Sequence, residues 1–246
     1  MEFRIVHVYP DLMSLYGSYA NISVLTRYLQ QLGHTVTVES LRPGTDAFSL
    51  EGADFLFMGA GTERAQKAAL ADFVRYGDAV RAAAKDGVSM LFAGTAMELL
   101  GQTVTDADGV SSDALGLGGF TSVQSRQRIV GDVYGTTDLY TEPVVGFMNK
   151  CSLIHGVETP LLTACAMGFG NEAQGGPEGF RFQNVLASQL TGPILVKNPR
   201  LLDIVAAAIL KRRGAPLPQE RPVFPYAEAG YAITAQQLKL RCEQQK

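Results

Sequence analysis

The sequence predicts an α/β fold built on a mainly parallel sheet, with antiparallel strands added in its second half. Three observations carry that prediction. Over residues 3–101, short apolar or β-branched runs alternate with longer segments of helical periodicity, the pattern of βαβ units. The runs Asp54–Met58 and Val88–Ala93 are almost uninterruptedly apolar, as strands covered on both faces are. After Gly101 the texture changes to Thr, Val, Ile and Tyr in short pieces separated by glycine turns.

Taken in order, Phe3–Val8 is the first strand and Tyr9–Gly17 a loop. Ile22, Leu25, Tyr28, Leu29 and Leu32 then fall at helical spacing, with Asn21 as N-cap and Gly33 as the stop. Thr35–Val38 and Asp54–Met58 are the next strands, the latter ending in Gly59-Ala60-Gly61. Arg64–Ala84 reads as one helix closed by Gly87. Val88–Ala93 is a strand that turns sharply at Gly94 into a short helix carrying Met97, Leu99 and Leu100. Thr103–Gly119 reads as loop. Phe120–Phe147, Leu161–Ala164 and Phe180–Leu186 supply the later strands, and Leu201–Arg212 a helix. Pro216, Pro218, Pro222 and Pro225 mark an extended arm, followed by a polar tail of helical character from about Thr234. The simplest division is one domain over residues 1–214 and an arm with its tail over 215–246.

Bulk properties narrow the function. The chain has 246 residues, 46% apolar and 18% charged, enough for a sizeable core. Its net charge is −3 and its pI near 5.7, which argues against a nucleic-acid footprint. No apolar run reaches the roughly 18 residues of a membrane span, and the N-terminus lacks a secretory apolar region. Cys151, Cys165 and Cys242 show neither paired nor metal-type spacing, so a cytoplasmic protein without metal or cofactor is expected.

Ligands of parallel α/β sheets bind beyond the carboxyl ends of the strands. Tyr9–Tyr19, Gly59–Gln66 and Gly94–Thr95 qualify. The turn after Ala93 has the form that holds a nucleophile in several hydrolytic folds, yet Gly94 has no side chain to react. Gly59 and Gly61 could aim backbone N–H groups at an anion, or simply form a tight turn. Arg128 could grip a carboxylate, or be an exposed strand arginine. Cys151 is a small buried apolar residue or a reactive thiol. His7 reads as a satisfied core histidine, and His155 has no carboxylate or cysteine at motif spacing.

Several stretches together resemble the class I glutamine amidotransferases of the cobyric-acid-synthase type, most nearly the GatD-type glutaminase subunits of lipid II isoglutaminyl synthase. They are Tyr9–Gly17 with Asn21, Gly59–Gln66, the elbow ending Leu99-Leu100-Gly101, Leu115–Gly118, Arg128–Asp132, Val145–Phe147 with Asn149, Gly168–Asn171 and Gly192–Asn198. They keep the family's order across roughly residues 3–212. The resemblance implies a flavodoxin-like three-layer domain. It also implies glutamine hydrolysis by a cysteine and a histidine, in partnership with a MurT-like Mur ligase that amidates lipid II. In the family the elbow reads Cys-Gly-Gly-Tyr-Gln, and the histidine immediately precedes Gly-Pro-Ile-Leu. Here the nucleophile position falls on Gly94, or on Ala93 or Thr95 with one residue of slippage, and the base position on Thr191. By the same alignment Arg128 holds the glutamine, Gly59–Gly61 supplies an oxyanion-hole amide, and Thr95 is a second oxyanion-hole candidate. The expectation is therefore a catalytically degenerate subunit of a heterodimer, able at most to bind glutamine or another carboxylate. The alternatives are a ligand-binding or scaffold module without a ligase, and a glutaminase whose nucleophile has moved to Cys151.

Overall fold

A computed structural model describes residues 1–46 and 48–244. The chain runs β1 (Glu2–Val8), α1 (Ala20–Gln31), β2 (Thr35–Leu41), β3 (Phe55–Met58), α2 (Glu63–Phe73), α3 (Gly77–Lys85) and β4 (Ser89–Ala93). A 3₁₀ segment, Gly94–Leu100, leads to the short strands β5 (Thr103–Thr105) and β6 (Ser111–Asp113). The long strands β7 (Thr121–Thr136) and β8 (Val144–His155) follow, then β9 (Ala164–Met167), β10 (Phe180–Phe182), β11 (Val185–Ser188) and β12 (Leu190–Thr191). Helices α4 (Ile194–Lys197), α5 (Pro199–Arg212) and α6 (Pro225–Gln244) complete it.

The first sheet has the order β10-β11-β4-β3-β1-β2, parallel except for β10. Period-two side-chain alternation sorts its residues onto two faces. Val6, Val8, Leu56, Met58, Met90 and Phe92 pack with Leu70, Phe73 and Val80 of α2 and α3. Phe3, Ile5, Phe55, Phe57 and Leu91 pack with Leu25 and Leu29 of α1 and with Leu202, Val205 and Ile209 of α5. This is the three-layer α/β domain that the sequence predicts. A second sheet, β12-β8-β7-β5-β6, carries β9 on β7 and is antiparallel apart from the β5–β7 pair. Gln189 alone separates β11 in the first sheet from β12 in the second, so the two sheets meet at the carboxyl ends of the parallel strands.

Four local expectations are corrected. The helix expected over Arg64–Ala84 is two helices, broken by a 3₁₀ turn at Val74–Tyr76 where the buried Tyr76 donates its hydroxyl to the Thr45 carbonyl. Asn21 is not an N-cap: the helix begins at Ala20, and the Asn21 side chain is buried. It accepts from Leu195 N–H at 2.8 Å and donates to the Ser18 carbonyl at 2.9 Å, tying α1 to α4. The expected loop after Thr103 contains the β5–β6 hairpin. The helical tail begins at Pro225 rather than near Thr234, because proline is accepted in the first turn of a helix.

Candidate functional site

Gly94, the position that the resemblance assigns to the nucleophile, directly follows β4, and Ala60, against which it packs, lies two residues beyond the end of β3. Gly94 has φ +64°, a left-handed conformation that glycine adopts without steric cost. A Cβ built on it would stand 2.6 Å from the Ala60 Cβ and 3.3 Å from the Ala60 Cα. The elbow is present, and the volume a nucleophilic side chain would use is filled by Ala60. Neither Met97 nor Glu98 fills it; Met97 belongs to the core, and Glu98 points elsewhere.

Thr95 closes what lies beside it. Its hydroxyl accepts from Gly61 N–H at 2.9 Å and donates to the Gly61 carbonyl at 3.1 Å. The Gly61 amide, one of those expected to face an oxyanion, is therefore consumed inside the protein. The glycines have a packing reason as well. A Cβ on Gly59 would run into Ser18 and lie 2.6 Å from the Met13 carbonyl, and one on Gly61 would meet the Met13 sulfur. The Tyr9–Tyr19 loop lies directly on this segment, with Leu15 N–H donating to the Ala60 carbonyl at 2.9 Å.

Thr191, which the resemblance assigns to the base, is likewise engaged. Thr191 is buried, and its hydroxyl donates to the Phe147 carbonyl at 3.0 Å, joining β12 to β8. No proton acceptor of imidazole type stands there. Cys151 is buried and donates its thiol to Glu63 Oε1 at 3.4 Å. Burial pushes the thiol up to about 12, and the Glu63 carboxylate adds to the shift, so the nucleophilic thiolate is suppressed. The geometry opposes a nucleophile moved to Cys151.

Arg128 lies within an irregularity in the β7–β8 pairing between Gln124 and Ile129, and its side chain reaches Glu63 of α2. Its guanidinium donates to Asn149 Oδ1 at 2.7 Å and to Glu63 Oε1 at 2.8 Å, and Asn149 in turn donates to the Tyr16 hydroxyl at 3.0 Å. Burial pushes Glu63 up, but its own backbone amide, Arg128 and Cys151 together hold it below the usual carboxylate range. Arg128 borders a cavity of about 560 Å³ that also takes in Glu63, Gln66, Gln124 and Cys151. Glu63 already takes one edge of the guanidinium, and the half-exposed remainder is the part an incoming carboxylate can reach.

Sequence reasoning missed the polar lattice beneath this cavity. Gln66 donates to the Thr95 carbonyl at 2.8 Å, and Gln124 donates to Gln66 at 2.7 Å and to Glu98 at 2.9 Å. The buried Glu98 carboxylate also accepts from Ser122 at 2.8 Å and Ser152 at 2.7 Å. Gln189 continues the chain from Ser152 to Lys150, which is 2% exposed. Burial brings the Lys150 ammonium down to about 8, against the pull of Glu178 and Glu98. A lysine or glutamate in an apolar run reads as the solvent-facing half of an alternation; only the second sheet packed over the first buries both.

His7 lies in the core as expected, but it is not satisfied. Its Nε2 has no partner among the described residues, and burial lowers it to about 4 although Asp11 pulls the other way. His155 is half-exposed and lies 3.2 Å from Glu172, a carboxylate that its sequence spacing did not indicate.

The CobB/CobQ-like glutamine amidotransferase domain matches residues 4–199, four-fifths of the chain. The chain belongs to that family. Two curated relatives bear the name lipid II isoglutaminyl synthase (glutamine-hydrolyzing) subunit GatD. The one from Staphylococcus aureus (strain N315) is 28% identical over 219 residues, covering 87% of each chain. The one from Streptococcus pneumoniae (strain ATCC BAA-255 / R6) is 29% identical over 216 residues, covering 86% of this chain and 82% of its own. A glutamine amidotransferase from Thermotoga maritima superposes with a TM-score of 0.53 at 9% identity, over 96% of this chain and 94% of its own. A second solved glutamine amidotransferase gives 0.50 at 17%, over 85% and 99%. These two support the fold. Among the described residues no helix is long and apolar enough to cross a membrane.

Proposed function

We propose that this chain is a non-hydrolysing, GatD-type subunit that acts by contact with a Mur-ligase-like synthetase in the amidation of lipid II. Its value to that enzyme is structural or regulatory rather than as a source of ammonia. The single observation that carries this reading is the Ala60 side chain standing where a Gly94 side chain would project. Thr191 in place of a base, and a Gly61 amide already hydrogen-bonded to Thr95, support it independently. Transition-state stabilisation by an oxyanion hole needs free donors aimed at the developing charge, and Gly61 has none to offer. The names of the two relatives supply the subunit role.

The test is ammonia release from glutamine by the purified chain, alone and with its synthetase, beside a Cys151→Ser variant. The expected rate equals the no-enzyme control in every case. A rate above that control, lost in Cys151→Ser, would return the chain to the glutaminases.

The cavity beside Arg128 favours a second reading, a binding module for glutamine or glutamate that needs no ligase. Titration calorimetry with both amino acids decides it. Binding weakened at least tenfold by Arg128→Ala supports this reading, and no binding removes it.

A further inference from the structure

We propose that the cavity between α6 and the β8–α4 side of the domain binds a small monocarboxylate, held by the Lys197 ammonium with its apolar body against Phe147, Tyr226 and Tyr231. The proposal needs neither reading given above, because this cavity shares no lining residue with the one beside Arg128. It measures about 250 Å³, and one of its walls is α6, which lies beyond the segment that the family model matches. Lys197 ends α4, is half-buried, and makes no hydrogen bond or ion pair among the described residues. Asp132 is the carboxylate whose charge acts on it, but Arg241 of α6 pairs with Asp132 and takes up that counter-charge. Lys150, by contrast, gives its ammonium to the Gly170 carbonyl at 2.7 Å and to Gln189. Burial lowers the Lys197 ammonium below the ordinary lysine range while Asp132 pulls the other way. A counter-charge entering the cavity is therefore favoured, since it restores what desolvation removes.

The walls say which anion. Apart from Lys197, Asp132 and Thr234, every residue lining the cavity is apolar, aromatic or glycine. The Thr234 hydroxyl is spent on the Gly230 carbonyl at 2.7 Å, and the Tyr231 hydroxyl on the Pro143 carbonyl at 2.8 Å. One cation therefore stands alone, which matches a single negative charge. Phosphate carries more charge and is recognised by forked guanidinium groups, and no arginine lines this space. An amino acid fits less well, because its ammonium would stand beside Lys197 with Asp132 already paired. The volume is below the roughly 300 Å³ at which sites for drug-sized ligands begin. The occupant is thus a ring or short chain with one acid group. Tyr226 lines the cavity yet is 95% exposed, so a flat occupant gives its ring the cover it lacks.

The experiment titrates the full chain with benzoate and follows the amide resonances of Gly146 and Gly230, which line the cavity from β8 and from α6. Saturable shifts centred on these two glycines are expected. Benzamide, a neutral molecule of the same shape, and inorganic phosphate should bind at least tenfold more weakly. Lys197→Met keeps the apolar stem and should weaken benzoate at least tenfold at the wild-type melting temperature. Lys197→Arg keeps the cation and should retain most of the affinity. Lys239→Met, exposed on α6, and Arg128→Ala, in the other cavity, should leave it unchanged. Should Lys197→Met misfold, the comparison of benzoate with benzamide on wild type still decides. Equal binding of those two molecules, binding that survives Lys197→Met, binding lost in Arg128→Ala, or no saturable shift would each overturn the proposal. None of these outcomes bears on ammonia release, so the site and the subunit reading fail separately.

Discussion

Gly94 is held by two separate constraints. Its φ of +64° costs a non-glycine residue about 1–2 kcal/mol, and forcing a methyl against Ala60 adds overpacking of about 1–3 kcal/mol. Gly94→Ala should therefore destabilise the fold by about 2–5 kcal/mol in urea denaturation. Ala60→Gly in the same chain should recover at least about 1 kcal/mol relative to Gly94→Ala alone. A fully neutral Gly94→Ala would mean that Ala60 does not fill the elbow. His7 gives a pH signature. Its folded pKa, about 4, lies below the ordinary 6.5, so between those values the unfolded chain binds more protons and stability falls as the solution is acidified. From pH 7 to pH 5 the loss should be about 2 kcal/mol. His7→Leu should flatten that part of the profile, and an unchanged slope would assign the acid sensitivity to other groups.

At the scale of elements, β7 and β8 meet the 3₁₀ segment after β4 through the carboxylate of Glu98. It receives three side-chain hydrogen bonds, and removing it leaves Ser122, Ser152 and Gln124 without their shared acceptor. Glu98→Ala should cost about 3–5 kcal/mol, whereas Glu98→Gln, which keeps one acceptor oxygen, should cost less than half as much. Thermal unfolding of the two variants checks the ranking, and equal losses would show that volume rather than hydrogen bonding matters at this position. The elements themselves were legible where a single period governed them. β1, β3, β4 and α5 follow from apolar runs and helical spacing because tertiary packing agrees with local preference there. The break between α2 and α3 left only a weak mark in the sequence, Gly77 directly after Val74-Arg75-Tyr76. The Tyr76 hydroxyl reaching across to Thr45 at the break is a contact that needs the folded chain.

Over the whole molecule, the location of the site could be read from Gly59–Gly61 and the turn at Gly94, because ligand sites of parallel sheets sit at carboxyl ends. Its contents could not. The lattice from Gln66 to Lys150 joins pairs of residues 26–58 apart in the chain, and nothing in their local sequence pairs them. Their burial depends on the second sheet lying over the ends of the first. The Ala60–Gly94 contact has an evolutionary consequence. Restoring a thiol at 94 requires a smaller residue or a displaced backbone at 60. A useful thiol also needs a base at 191 and release of the amide that Thr95 occupies. Each reversion alone meets steric conflict or yields no activity for selection to act on. Under the proposed non-hydrolysing role the contact works as a ratchet, and a lineage that has crossed it is free to evolve the rest of its surface for a role other than hydrolysis.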